Sequence, residues 1–145
     1  MELDKILKKR KSVRSFRNKH ASWKDVMEAI DAASQAPFAG NNNHLKFIIV
    51  EEEATIKKCA EAAEQTWIDQ APIAVIVCSD DTQLEKLYGE RGRTYGKQQA
   101  GAAIEHLLLK LVDLGLAGCW IGAYDDAKMR TVLDIPKNIQ IESLI

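Results

Sequence analysis

Residues 73–78, Ile-Ala-Val-Ile-Val-Cys, run without one polar side chain. An apolar run of that length suggests a strand covered on both faces, and therefore a sheet sandwiched between helices. The fold class that follows is α/β or α+β. Ala71-Pro72 opens this strand, and Phe47-Ile48-Ile49-Val50 supplies a second buried one.

The helices around these strands follow from periodicity. Leu3, Ile6 and Leu7 share one face of a first helix over residues 3–11. Ser22-Trp23-Lys24-Asp25 resembles a capping box with Asp in place of Glu, and starts a second helix that shows Val26, Met27, Ile30 and Ala33 to the core and ends near Gln35. A third spans 55–69 and buries Ile56, Cys59, Ala60, Ala63 and Trp67. A short helix over 80–88 is followed by residues 89–96, where Gly89, Gly92 and Gly96 flank Arg91 and Arg93; this stretch is expected to be a mobile surface loop. It lacks the G-x-G-x-x-G and P-loop patterns, which excludes those nucleotide fingerprints.

The longest helix is expected over 97–114, with a stripe of Ala100, Ala103, Ile104, Leu107, Leu108, Leu111 and Leu114. Small residues at its start allow close approach of another helix or a planar ligand, and Gly115 sits where a left-handed cap belongs. Residues 116–122 suggest another strand, 126–133 a short helix, and Ile139-Gln140-Ile141 a last strand.

With 145 residues and 46% hydrophobic content, one domain can bury a core without disulfide or metal staples. Lys plus Arg total 20 against 21 for Asp plus Glu, a formal charge of −1, so no global field favours nucleic acid or an acidic membrane. Cys59, Cys78 and Cys119 lie far apart and fit core packing in a reducing compartment. His20, His44 and His106 are equally scattered, so no metal is expected. There is no N-terminal apolar segment of leader type, and the charge-free apolar stretch 114–124 is too short to span a bilayer. A soluble, cytoplasmic protein is the expectation.

Two stretches carry candidate chemistry. Continuing the first helical period puts Arg10 on the apolar side, and a persisting turn brings Arg14 to the same side, with Ser12 between them. No acid in the first twenty residues is placed to pair with them. One reading is a bound anion, because guanidinium matches phosphate geometry. The other is a solvated set of cations capping the carbonyl end of a surface helix. The polar loop with Pro37, Gly40 and Asn41-Asn42-Asn43 is similarly open: turn chemistry, or a binding group set between helix and strand.

Taken together, Arg10-x-Ser12-x-Arg14-x-Phe16, Ala36-Pro37-x-Ala39-Gly40-Asn41, the Ala-rich helix leading into Leu114-Gly115-Leu116-x-Gly118-Cys119-Trp120-Ile121-Gly122, and Ile135-Pro136 resemble the FMN-dependent nitroreductase family over nearly the whole chain. The resemblance implies a single α+β domain over 1–145, a three-layer fold whose mostly antiparallel central sheet is flanked by helices. It also implies a homodimer with FMN at the subunit interface, reduced by NADH or NADPH and reoxidised by a nitroaromatic, quinone or other small-molecule acceptor in a ping-pong cycle. The alternative is a non-catalytic flavin-binding or regulatory dimer.

On the family pattern, Arg10, Lys11 and Ser12 hold the phosphate and ribityl chain, and Arg14 lies near the N1/O2 edge of the ring. Pro37, Phe38, Asn41 and Asn43 reach the partner subunit's FMN, while Ile121, Gly122 and Ala123 line the ring, the last two with backbone N–H donors toward N5. No side chain need act as acid or base. The chain departs from the pattern at Phe38, where many members have Ser; at Asn43-His44-Leu45, where they have Gln-Pro-Trp; and at Gln98 and Gln99, near a frequent Asp. The family pattern also continues past the last strand into a Gly-Tyr-Pro-like turn and a C-terminal basic residue that helps bind the phosphate, an arm expected to be missing from these 145 residues.

Overall fold

In the computed structural model, which describes residues 1–145, the uninterrupted apolar run is the middle strand of a three-stranded sheet. Strand β2 (Ala74–Ser79) is buried along its whole length. β1 (Leu45–Val50) and β3 (Gln140–Leu144) pair with it on either side, both antiparallel, giving the order β1-β2-β3. The β1 register sets Phe47 opposite Val77 and Val50 opposite Ala74. On the β3 side the register shifts between Val77 and Cys78.

Alternation along β2 feeds two cores. Ala74, Ile76 and Cys78 join Ile56, Cys59 and Ala60 of α3 (Glu53–Ala62) and Met129 of α6 (Asp126–Leu133). Val77 faces the other way, to Ala29 and Ala33 of α2 (Trp23–Ala33) and Ala103, Ile104, Leu107 and Leu111 of α5 (Glu90–Asp113). Helices on both faces of an antiparallel sheet make the expected three-layer α+β arrangement. No helix is long and apolar enough to cross a membrane.

Several expectations need correction. Helix α1 (Leu3–Lys9) stops short of Lys11, because Arg10 turns extended (φ −59, ψ 123) and Val13 donates its N–H to the Gly118 carbonyl at 3.2 Å. Arg14 therefore does not stack one turn beyond Arg10. Of the α1 apolar face only Ile6 is buried; Leu3 and Leu7 are exposed, as is Met27 of α2. β1 begins at Leu45, and as the edge strand it is mostly half-buried.

The third helix ends at Ala62, because Glu64 adopts φ +53 and the Gln65 N–H reaches back to the Ala60 carbonyl at 3.1 Å. That is a left-handed helix stop without the usual glycine. Thr66–Gln70 then forms a separate 3-10 turn. Residues 116–122 make no strand; Ile121 alone bridges to Leu144. The sheet thus has three strands, not four.

The largest correction concerns residues 89–96. Only Gly89 is a turn (φ +59), and Glu90 already begins α5, which runs for 24 residues. Gly92 and Gly96 are buried inside it. A Cβ at Gly92 would lie 2.5 Å from the Leu84 carbonyl carbon and 2.7 Å from the Glu85 nitrogen. The glycine lets α5 touch the backbone of α4 (Thr82–Tyr88). These glycines mark close packing, not mobility.

Candidate functional site

The Val13 to Gly118 hydrogen bond draws residues 10–14 alongside residues 118–123. Both segments lie over one face of α5. Arg10 reaches Glu105 of that helix, Nε to Oε1 at 3.8 Å. One turn earlier, Gly101 leaves room for the Trp120 ring, 3.7 Å from where its Cβ would be. Arg10 therefore does have an acidic neighbour, from a part of the chain ninety-five residues away. Both side chains are partly exposed, and such a pair contributes about 1 kcal/mol or less, so Arg10 remains available to a stronger anion.

Lys11, Ser12 and Arg14 are exposed, and neither Lys11 nor Arg14 forms an ion pair. Ile121 is committed: its side chain is in the core, its N–H bonds the Leu144 carbonyl at 2.8 Å, and its carbonyl accepts from Leu144 at 3.0 Å. The bridge leaves the next two residues standing clear. Gly122 and Ala123 are exposed, and their N–H groups have no partner within the chain. Exposed cations and unused backbone donors thus lie on two segments joined at Val13–Gly118, the second of which also carries an exposed indole (Trp120, 42% exposed). That set suits a ligand with an anionic tail and a flat polar head.

The polar loop sits elsewhere on α5. Residues 39–41 form a 3-10 turn in which Gly40 (φ +58) and Asn41 (φ +54) are both left-handed. Gln99 brackets the pair: its Oε1 accepts from Ala39 N at 3.0 Å, and its Nε2 donates to the Asn42 carbonyl at 3.1 Å. The same Nε2 lies 2.9 Å from His44 Nδ1, and His44 Nε2 lies 2.9 Å from the Gly96 carbonyl. Carbonyl oxygens only accept, so the imidazole is protonated on Nε2 and receives the Gln99 amide on Nδ1. Burial holds the His44 pKa below its ordinary value, against the opposing pull of the Gly96 carbonyl, Asp81 and Glu142.

Phe38 meets the His44 ring edge to face, centroids 6.4 Å apart. Pro37 and Asn41 are exposed, and Asn43 spends its Oδ1 on Leu45 N at 3.0 Å. No hydrogen bond or ion pair connects this loop to residues 10–14 or 118–123. The expected site residues therefore form two groups along the chain: Arg10, Lys11, Ser12, Arg14, Ile121, Gly122 and Ala123 in one, Pro37, Phe38, Asn41 and Asn43 in the other.

Glu105, Trp120, His44 and Gln99 were not anticipated in these roles. Gln99 did leave a signal, since it falls four residues before Ala103 on the buried stripe of α5, where a polar side chain needs partners.

The sequence model of the nitroreductase family matches residues 7–69 and 57–145. A provisionally named NADH dehydrogenase/NAD(P)H nitroreductase of Archaeoglobus fulgidus is 30% identical over 97% of this chain and 81% of its own length. An FMN reductase [NAD(P)H] of Bacillus subtilis is 28% identical over 95% of this chain, which spans 61% of that protein. Among solved structures, a nitroreductase family protein from Clostridium novyi NT superposes with a TM-score of 0.90 at 27% identity, covering 99% of this chain and 82% of that one.

Proposed function

The chain belongs to the nitroreductase family, and from that premise we propose that its 145 residues act as one FMN-dependent NAD(P)H oxidoreductase domain, paired as a homodimer with FMN at the subunit interface. The observation that supports the reading is the Val13–Gly118 hydrogen bond, which ties the segment bearing Arg10, Lys11 and Arg14 to the segment that leads to Gly122 and Ala123. Arg10, Lys11 and Ser12 would hold the phosphate and ribityl chain. Arg14 would keep a fixed cation beside the N1 and O2 edge, favouring the negative charge that arrives with a hydride. Gly122 and Ala123 would donate backbone N–H groups toward N5, on a segment anchored by Ile121. Bound FMN would supply two-electron redox chemistry between NADH or NADPH and a nitroaromatic, quinone or other small acceptor.

A second subunit would account for the separation of the two groups, since Pro37, Phe38, Asn41 and Asn43 could then meet the partner's flavin. Leu3, Leu7, Trp23 and Met27 are exposed on α1 and α2, a supply of apolar surface for such an interface. Three free buried thiols suit a reducing cytoplasm.

The test is anaerobic. Protein reconstituted with FMN should bleach on adding NADH or NADPH. Arg14→Ala should weaken FMN binding or slow bleaching by roughly ten-fold or more, the scale of one lost charge-assisted contact. Unchanged affinity and rate would remove Arg14 from the mechanism. Yellow protein that does not bleach would favour the non-catalytic flavin-binding dimer, and failure to take up FMN would exclude both.

A further inference from the structure

The geometry points to Gln99 and His44 as positioning residues that hold the loop of residues 39–43 in the shape in which it meets flavin, an inference that rests on the function proposed above. Two successive residues in left-handed backbone, one of them the non-glycine Asn41, form a costly shape that persists only when its surroundings over-determine it. Gln99 grips the chain on both sides of that pair, at Ala39 N and at the Asn42 carbonyl. It is itself 5% exposed, so water is a poor substitute for either bond.

The clamp works in one orientation only. With the amide flipped, its oxygen would oppose the Asn42 carbonyl and its nitrogen would oppose the Ala39 N–H. His44 enforces the working orientation: held by its Nε2–H on the Gly96 carbonyl, it offers Nδ1 as an acceptor that only the amide nitrogen can satisfy. Phe38 rests against the same ring, so the clamp reaches both ends of the loop.

The charged groups facing His44 come from three elements. Asp81, just ahead of α4, has Oδ1 3.7 Å from Nε2 and no hydrogen bond of its own there. Glu142 of β3 is nearby, paired to Lys97 of α5 at 2.7 Å. A second proton on His44 would suit these acids but would set an Nδ1–H donor against the Gln99 amide donor. The clamp therefore requires the singly protonated ring.

The experiment compares the full-length wild type with Gln99→Leu, Gln99→Glu and, as a control, Met129→Ala, a fully buried side chain on the opposite face of the sheet. FMN dissociation constants and flavin visible spectra are measured at a temperature where circular dichroism shows every variant folded. Long-range 1H–15N spectra report the His44 tautomer in the wild type and in Gln99→Glu. Gln99→Leu should raise the FMN dissociation constant roughly ten-fold or more and alter the flavin spectrum. Met129→Ala should lower the melting temperature while leaving both unchanged. His44 should carry its single proton on Nε2 in the wild type, and Gln99→Glu should draw a second proton onto the ring.

Wild-type affinity and spectrum in Gln99→Leu, equal losses in Gln99→Leu and Met129→Ala, or an Nδ1–H tautomer in the wild type would each overturn the inference while leaving FMN binding intact. A Gln99→Leu that cannot be obtained folded leaves the tautomer and the Gln99→Glu response to decide. A wild type that binds no FMN would instead sink the proposed function, and this role with it.

Discussion

Two alanine substitutions on one helix should move stability in opposite directions. At Gly92 an added methyl would press on the Leu84 carbonyl carbon at 2.5 Å and the Glu85 nitrogen at 2.7 Å, both backbone atoms that cannot swing aside. Overpacking of this kind costs typically ~1–3 kcal/mol, and contact with main chain puts it at the upper end. Replacing a helical glycine returns at most about 1 kcal/mol through helix propensity, and Gly92 stands in the first turn of α5. Gly92→Ala should therefore destabilise by about 2 kcal/mol. At Gly101 the same methyl would meet only the Trp120 ring, at an ordinary 3.7 Å, so the propensity gain stands alone and Gly101→Ala should stabilise by about 1 kcal/mol.

The assay is urea unfolding followed by circular dichroism, without flavin because Trp120 lies on the face assigned to it. With a slope of roughly 1–3 kcal/mol per molar urea, the two midpoints should fall about 1 M or more apart, on either side of the parent. A Gly92→Ala midpoint at or above the parent value would falsify the claim that α4 and α5 touch through this residue.

Two further outcomes follow from buried titrating groups. His44 has a folded pKa below its ordinary 6.5, so the folded state binds fewer protons than the unfolded one; stability should be complete above pH 6.5 and decline as pH falls below it toward the folded value, and a urea midpoint that rises on acidification from pH 7 to about pH 5 would contradict this. Burial pushes the Cys78 thiol up to about 11 and also raises that of Cys59; neither should react with a disulfide reagent at about pH 8 until the protein unfolds, and labelling of Cys59 or Cys78 in native protein on the mixing timescale would show that they are reached without unfolding.

What the sequence made legible were features signalled by a single local cause. The unbroken apolar run became β2, the Ser22 side chain does accept from Lys24 N at 3.2 Å, Gly115 takes φ +77, and α6 spans the residues its pattern indicated. What stayed hidden depended on distant partners. Gly92 and Gly96 look like loop residues until α4 is laid across them, and the stop at Glu64 uses a residue that gives no glycine signal. The apolar stretch 116–122 has strand composition but spends its backbone on Val13 and Leu144 instead of a ladder. At the site, residue types were readable while pairing was not: Glu105 approaches Arg10 only through the fold.

β1 has a neighbour on one margin only. Its outer row of amides and carbonyls is a template onto which any extended peptide could be laid, and Lys46 is the one charged side chain along it to discourage that. Concentration, and not heat alone, should therefore govern how long the isolated polypeptide stays in solution. Whatever shields that margin in the assembled protein would protect against fibrous association as a by-product of assembly.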